Sequence, residues 1–172
     1  MINIQQSLLA SWPKPELVVF DFDGVFTDNF VYVDEEGREM VRCSRADSLG
    51  VTHLKTAGFR MLIVSTETNP VVSQRAAKLG LPAHQGCGDK ACFLETYLHE
   101  EKINPGRVVY IGNDINDLNA MSLVGFPVCP ADADERVKAM AALVLHNSGG
   151  RGAVRELSEL LLAATWAGVS NM

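Results

Sequence analysis

One stretch of nine residues constrains this chain more than any other: Leu17-Val18-Val19-Phe20-Asp21-Phe22-Asp23-Gly24-Val25. An apolar run rich in Val and Phe leads straight into two aspartates, one residue apart, and a glycine. Such a run reads as a buried strand of a parallel sheet. A carboxylate taken out of water is costly unless it is paired or bound to a cation. Two of them at the mouth of a buried strand therefore call for a metal. Side chains alternate along a strand, so Asp21 and Asp23 would share a face if the strand continued. Gly24 lets the chain turn sharply there. The plainer alternative is a helix cap followed by a turn aspartate.

The rest of the chain alternates apolar runs with helical patterns. Residues 1–16 read as a short amphipathic segment ending at Pro13 and Pro15. Phe30–Val33 and Arg38–Cys43 flank the turn cluster Asp34-Glu35-Glu36-Gly37 and predict a hairpin. A helix capped by Asp47 runs to Lys55 and stops at Ala57-Gly58. A second apolar strand, Phe59–Val64, ends at Ser65-Thr66. Pro70 opens a helix that closes at Gly80. Pro82–Gln85 is a short strand, Lys90–Lys102 a helix, and Arg107–Ile111 a strand running into Gly112-Asn113-Asp114. Helices near Asn116–Val124 and Asp132–Met140 alternate with strands Phe126–Cys129 and Leu143–Leu145. A last helix follows Gly149-Gly150-Arg151-Gly152 and ends at Ala164, leaving 165–172 as a loose tail. This alternation predicts a doubly wound α/β domain over 1–172, with a parallel sheet and a hairpin insertion at about 29–43. Ligands of such sheets bind at the carboxyl ends of the strands, where the polar clusters fall.

Composition narrows the function classes. Hydrophobic residues make up 47% and the net charge is -6, with no basic block or basic-aromatic interleaving. Nucleic acid and membrane surfaces are therefore not expected partners. Residues 1–13 have no basic n-region and no long apolar stretch, so no signal peptide is expected. Cys43, Cys87, Cys92 and Cys129 form no C-x-x-C pair, which predicts reduced thiols and a cytoplasmic protein. The four histidines lack metal-ligand spacing. The glycine-rich run at 149–152 lacks G-K-[ST] and reads as a connector or a lid. Leu160-Leu161-Leu162 reads as core or an interface stripe.

Together the strand-end loops form a chemical set. Asp21 and Asp23 offer a nucleophile, a proton donor and metal oxygens. Ser65 offers a hydroxyl beside amides at a helix start, a cradle for phosphate. Lys90 supplies a fixed positive charge, and Asn113, Asp114 and Asp117 add oxygen ligands. Hard oxygen donors without His or Cys select Mg²⁺. Phosphoryl transfer needs a nucleophile in line and cations around the equatorial oxygens, and an aspartate can carry the phosphoryl group covalently.

In order along the chain, V-F-D-F-D-G-V, the I-V-S-T strand end, G-D-K and I-G-N-D-I-N-D-L resemble the four motifs of the haloacid dehalogenase superfamily. The resemblance implies Asp21 as nucleophile and Asp23 as general acid/base and, through its carbonyl, a metal ligand. It implies Ser65 on the phosphate, Lys90 steadying both, and the Asn113–Asp117 loop completing an Mg²⁺ site. D-G-V-F-T-D-N, the hairpin, R-A-D-S-L-G, R-A-A-K-L-G-L and G-G-R-G-A-V-R-E resemble the capless subgroup that dephosphorylates 2-keto-3-deoxy sugar acids. Its substrates are 3-deoxy-D-manno-octulosonate 8-phosphate or nine-carbon sialic-type 9-phosphates. The spacing agrees independently: 41 residues separate Asp23 from Ser65 and 21 separate Lys90 from Gly112, too few for a cap domain. Ser65-Thr66-Glu67 departs from the S-G-R or T-G-R of the octulosonate enzymes and looks more like the sialic-type members, with Thr66 and Glu67 near the sugar. Asn113 stands where the family has an acid, and Asp114 is the alternative ligand. Arg45 and Asp47 fall where the subgroup reads its substrate. The subgroup also implies a homotetramer whose hairpin caps a neighbour's site, with Arg42 and Arg151 meeting the substrate carboxylate. A rival reading is a catalytically weak oligomerisation module related to the domain fused to acylneuraminate cytidylyltransferases.

Overall fold

In the computed structural model, which describes residues 12–169, the run Leu17–Phe20 is strand β1 of a six-stranded parallel sheet. Expectations for 1–11 and 170–172 lie outside the described residues, as do the side chains of 165–169. The strands β4 (Met61–Val64), β5 (Ala83–His84), β6 (Val108–Ile111), β7 (Phe126–Cys129) and β8 (Leu143–Val144) complete the order β5-β4-β1-β6-β7-β8. Both faces of β1 are buried because its alternate side chains enter different cores. Val18 and Phe20 pack with Met61, Ile63, Val109 and Ile111 beneath helices α1 (Arg45–Thr56), α2 (Val71–Leu79) and α6 (Ala153–Val169). Leu17 and Val19 pack with Leu62, Val64, Val108 and Tyr110 beneath α3 (Lys90–Glu100), α4 (Leu118–Ser122) and α5 (Glu135–Met140). Each large apolar side chain so buried contributes roughly 1.5–3 kcal/mol.

The register sets the level of the loops. Phe20 pairs with Ile63 on one side and Ile111 on the other, so Asp21 leaves the sheet level with Gly112 and with Val64, one residue before Ser65. The chain runs outward from β1 through β4 to β5, then returns to β6 on the other side of β1. That reversal opens a crevice at the carboxyl ends, where doubly wound sheets bind ligands.

Strands β2 (Thr27–Val33) and β3 (Glu39–Cys43) form the separate antiparallel hairpin. Asp34 closes its turn by accepting the Glu36 and Arg38 amides, at 3.0 and 2.8 Å. Phe30, Tyr32, Val33 and Met40 all face solvent. Among the described residues there is no cap domain and no helix long and apolar enough to cross a membrane. All four cysteines are free.

Several boundaries differ from the sequence reading. Helix α1 starts at Arg45, not Asp47, because Ser44 Oγ accepts the Ala46 amide at 3.1 Å. Asp47 is instead fully buried and accepts the Arg155 amide at 2.9 Å, capping the start of α6 from 108 residues away. The helix expected over Asn116–Val124 is shorter: a 3-10 turn, Ile115–Asp117, precedes α4 because Asp117 is drawn inward. Helix α6 continues past Ala164 to Val169.

Candidate active site

After β1 the chain does not continue as a strand. It coils into a turn in which the Phe22 carbonyl accepts the Phe26 amide at 2.9 Å, with Gly24 at φ +72°. This turn, rather than strand alternation, brings the Asp21 and Asp23 side chains to one pocket. The pocket has a volume of about 250 Å³, and its walls include Asn29, Thr66, Asn113 and Asp114.

Asp21 is almost wholly buried. Its Oδ1 accepts the Phe22 amide at 2.7 Å and lies 2.7 Å from Lys90 Nζ. Burial, with Asp117 nearby, pushes its pKa up to about 8 against the pull of Lys90. Lys90, the first residue of α3, is 2% exposed and also meets Asp117 Oδ1 at 2.7 Å. Burial alone would lower the ammonium pKa, but the two carboxylates outweigh it and the pKa is raised. Asp117 has no solvent exposure. Its Oδ1 also accepts the Tyr110 hydroxyl at 2.8 Å, and its Oδ2 accepts the amides of Asn113 and Asp114 at 2.9 and 3.3 Å. Its acceptor positions are thus filled by groups that hold Lys90 and the 113–114 loop. The half-buried Asp23 has its pKa raised by burial and then by Glu67.

One terminal atom of the Asn113 amide lies 2.8 Å from the Asp23 carbonyl oxygen and 3.1 Å from Asp21 Oδ2. With nitrogen there, the amide donates to both. With oxygen there, three oxygens converge with no hydrogen between them, an arrangement that a cation relieves. A carboxylate, a carbonyl and an amide oxygen suit a hard divalent ion. No cluster of three His, Cys, Asp or Glu suited to a metal occurs among the described residues, so any such site depends on Asn113 and the carbonyl.

The other residues singled out in the sequence spread more widely. Ser65 is buried, its Oγ accepting the Glu67 amide at 3.1 Å, while Thr66 reaches the pocket wall. Glu67 folds onto its own loop, accepting the Thr68 and Asn69 amides at 2.6 and 2.7 Å. Asp114 sits at the rim and accepts the Ile115 amide at 2.7 Å. Arg42 pairs with Asp28 at the hairpin root. Arg45 lines a second groove with Leu49, Arg75 and Lys78, which shares no lining residue with the first. Asp47 supports α6, and Arg151 is exposed.

Two contributors, Tyr110 and Asn29, were not read from the sequence as parts of the site. Tyr110 looked like a strand residue, yet its hydroxyl holds Asp117. Asn29, which the sequence places only at the start of the hairpin insertion, lines the pocket at φ +64°. The 149–152 run is no loose connector at its start: Gly149 and Gly150 are buried against the 24–28 backbone. A Cβ on Gly149 would lie 1.9 Å from the Gly24 carbonyl oxygen.

Residues 84–157 match the family of haloacid dehalogenase-like hydrolases. The 3-deoxy-D-manno-octulosonate 8-phosphate phosphatase KdsC of Salmonella typhi is 34% identical over 149 residues, covering 86% of this chain and 79% of that protein. A chain from Streptomyces avermitilis, described as a haloacid dehalogenase family hydrolase, is 43% identical, with a TM-score of 0.86 over 91% of each chain. The 3-deoxy-D-manno-octulosonate 8-phosphate phosphatase of Moraxella catarrhalis, solved with magnesium, phosphate and KDO, is 28% identical, with a TM-score of 0.87 over 99% of each. A doubly wound sheet with this acidic pocket at its strand ends, in a chain with these relatives, is a phosphomonoester hydrolase of the haloacid dehalogenase type. Within that class, the chain belongs to the family of KdsC-like phosphatases.

Proposed function

We propose that this phosphatase hydrolyses the phosphate ester of a 2-keto-3-deoxy sugar acid, with 3-deoxy-D-manno-octulosonate 8-phosphate as the leading substrate and nine-carbon sialic-type 9-phosphates as the alternative. The observation that carries the reading is the Asp21 carboxylate, held by Lys90 and the Phe22 amide at the mouth of a pocket shared with Asp23. The Asp21 carboxylate attacks phosphorus, and the bond from phosphorus to the sugar oxygen breaks. Asp23 gives its proton to that oxygen. Asp23 then takes a proton from a water molecule whose oxygen attacks the aspartyl phosphate. The Asp21–phosphorus bond breaks, inorganic phosphate leaves, and both side chains return to their starting states. Lys90 and the Ser65 region bind the phosphoryl oxygens, while Asp117 positions Lys90 and Thr66 meets the substrate at the wall. Asp21, the Asp23 carbonyl and Asn113 would hold Mg²⁺, with Asp114 at the rim as a further oxygen. When bound, the ion supplies positive charge to the phosphoryl oxygens and offsets the burial of Asp21.

Glu67 favours the nine-carbon alternative: a carboxylate suits sugar hydroxyls or an amide, where an arginine would suit an acid. The exposed apolar hairpin supports a homotetramer in which it covers a neighbour's pocket, with Arg42 and Arg151 toward the substrate carboxylate. The oligomerisation-module reading is disfavoured by the full set of Asp21, Asp23, Ser65, Lys90 and Asp117. Phosphate release from eight- and nine-carbon keto-acid phosphates, with Mg²⁺ and with chelator, tests the proposal. Metal-dependent turnover of either supports it, and turnover of neither overturns it.

A further inference from the structure

We infer that Thr27 is a positioning residue whose hydroxyl fixes the Asp23 carboxyl toward the leaving group and ties it to the root of the hairpin. The inference rests on the proton-donor role proposed for Asp23.

Thr27 is the first residue of β2 and has no solvent exposure. A hydroxyl accepts at two positions and donates at one. Thr27 Oγ1 accepts the Gly24 amide at 3.1 Å and the Asn29 amide at 3.2 Å. Both acceptor positions are taken, so its proton is left for Asp23 Oδ1, 3.4 Å away. That distance is long for such a bond, as catalytic hydrogen bonds often are before substrate binds. With Oδ1 so held, Oδ2 is the oxygen available to the sugar oxygen.

The loop has little slack to undo this arrangement. Gly24 and Asn29 both have left-handed backbone, at φ +72° and +64°, on either side of the hydroxyl. Behind them the Gly150 amide donates to the Val25 carbonyl at 2.9 Å, and Gly149 and Gly150 press on the carbonyls of Gly24 and Thr27. Asn29 itself lines the pocket, so one hydroxyl joins the proton donor, the turn after β1 and the first pocket residue of the hairpin.

The test compares leaving groups. A sugar oxygen needs a proton as it departs, whereas p-nitrophenolate needs almost none. Thr27→Val is expected to lower kcat/KM on the sugar acid phosphate, which reports the steps up to departure of the sugar oxygen, by about ten-fold or more. Its loss of kcat/KM on p-nitrophenyl phosphate is expected to be several times smaller, with Thr27→Ser restoring the ratio of the two. If Thr27→Val does not fold, as judged by circular dichroism, Thr27→Cys carries the same comparison, because a thiol donates poorly. Equal losses on the two substrates would make Thr27 merely structural and overturn the inference, as would no loss on either. Failure of the functional reading is distinguishable, because the wild-type enzyme would then turn over no sugar acid phosphate at all. Another alkyl phosphate that it does hydrolyse would in that case replace the sugar substrate in the comparison.

Discussion

Asp21 is buried near a second carboxylate, and its pKa of about 8 stands far above the ordinary value of 3.8 although Lys90 lies 2.7 Å away. Between those two pH values the folded protein keeps a proton that the unfolded chain has released. Without metal, the Asp21 contribution to stability therefore falls as pH rises through this window. Asp21→Asn removes the charge. It is expected to abolish turnover and, in chelator, to raise the melting temperature relative to wild type by more at pH 8 than at pH 5. A difference that does not change with pH would contradict the burial argument. Lys90→Ala leaves Asp21 and Asp117 buried without their cation. Removing one partner of a buried pair costs about 3–5 kcal/mol, so stability and rate should both collapse; a variant with the wild-type rate would put Lys90 outside the chemistry. At this scale the sequence was informative where burial itself demands a partner. Asp21 and Asp23 follow an apolar strand, and carboxylates there need a cation. It was silent on which amides a carboxylate would meet. Asp117 looked like a metal ligand, and its oxygens are occupied by Lys90, Tyr110 and two amides. Asp47 looked like the cap of its own helix, and caps one 108 residues away.

The hairpin and the 149–152 run both meet the turn after β1. The hairpin grows out of Thr27, and Gly149 and Gly150 lie against residues 24–28 with no room for a side chain. Gly149→Ala must push the turn that carries Asp23. Overpacking of this kind typically costs 1–3 kcal/mol, so roughly that loss is expected in denaturant unfolding, together with reduced kcat. Unchanged stability and rate would show that the two segments are not held together. The apolar hairpin side chains stand in water, and a lone two-stranded hairpin gains by packing on something. Deleting 31–41 is expected to break the proposed tetramer into smaller species in light scattering and to lower activity on the sugar acid phosphate. A monomeric wild-type enzyme with full activity would end the capping idea. The hairpin was legible because its alternation and turn chemistry are local. The glycine contact was not, because it joins segments more than a hundred residues apart and a glycine-rich run also spells a flexible loop.

Across the whole molecule, alternating strands and helices predicted the doubly wound sheet, and short spacings predicted the absence of a cap. The strand order was not readable. It depends on which helices share a face of the sheet: α1, α2 and α6 on one side, α3, α4 and α5 on the other. That partition puts the direction change at β1 and gathers Asp21, Asp23, Thr66 and Asn113 around one opening. We propose that this opening hydrolyses a keto-sugar-acid phosphate through Asp21. The most direct measurement is phosphate release from 3-deoxy-D-manno-octulosonate 8-phosphate and a nine-carbon 9-phosphate by wild type and Asp21→Asn, with Mg²⁺ and with chelator. The expected result is release by wild type with Mg²⁺ on at least one of them, and none by Asp21→Asn or in chelator. Release that survives Asp21→Asn, or no release from either substrate, would rule out this reaction at Asp21.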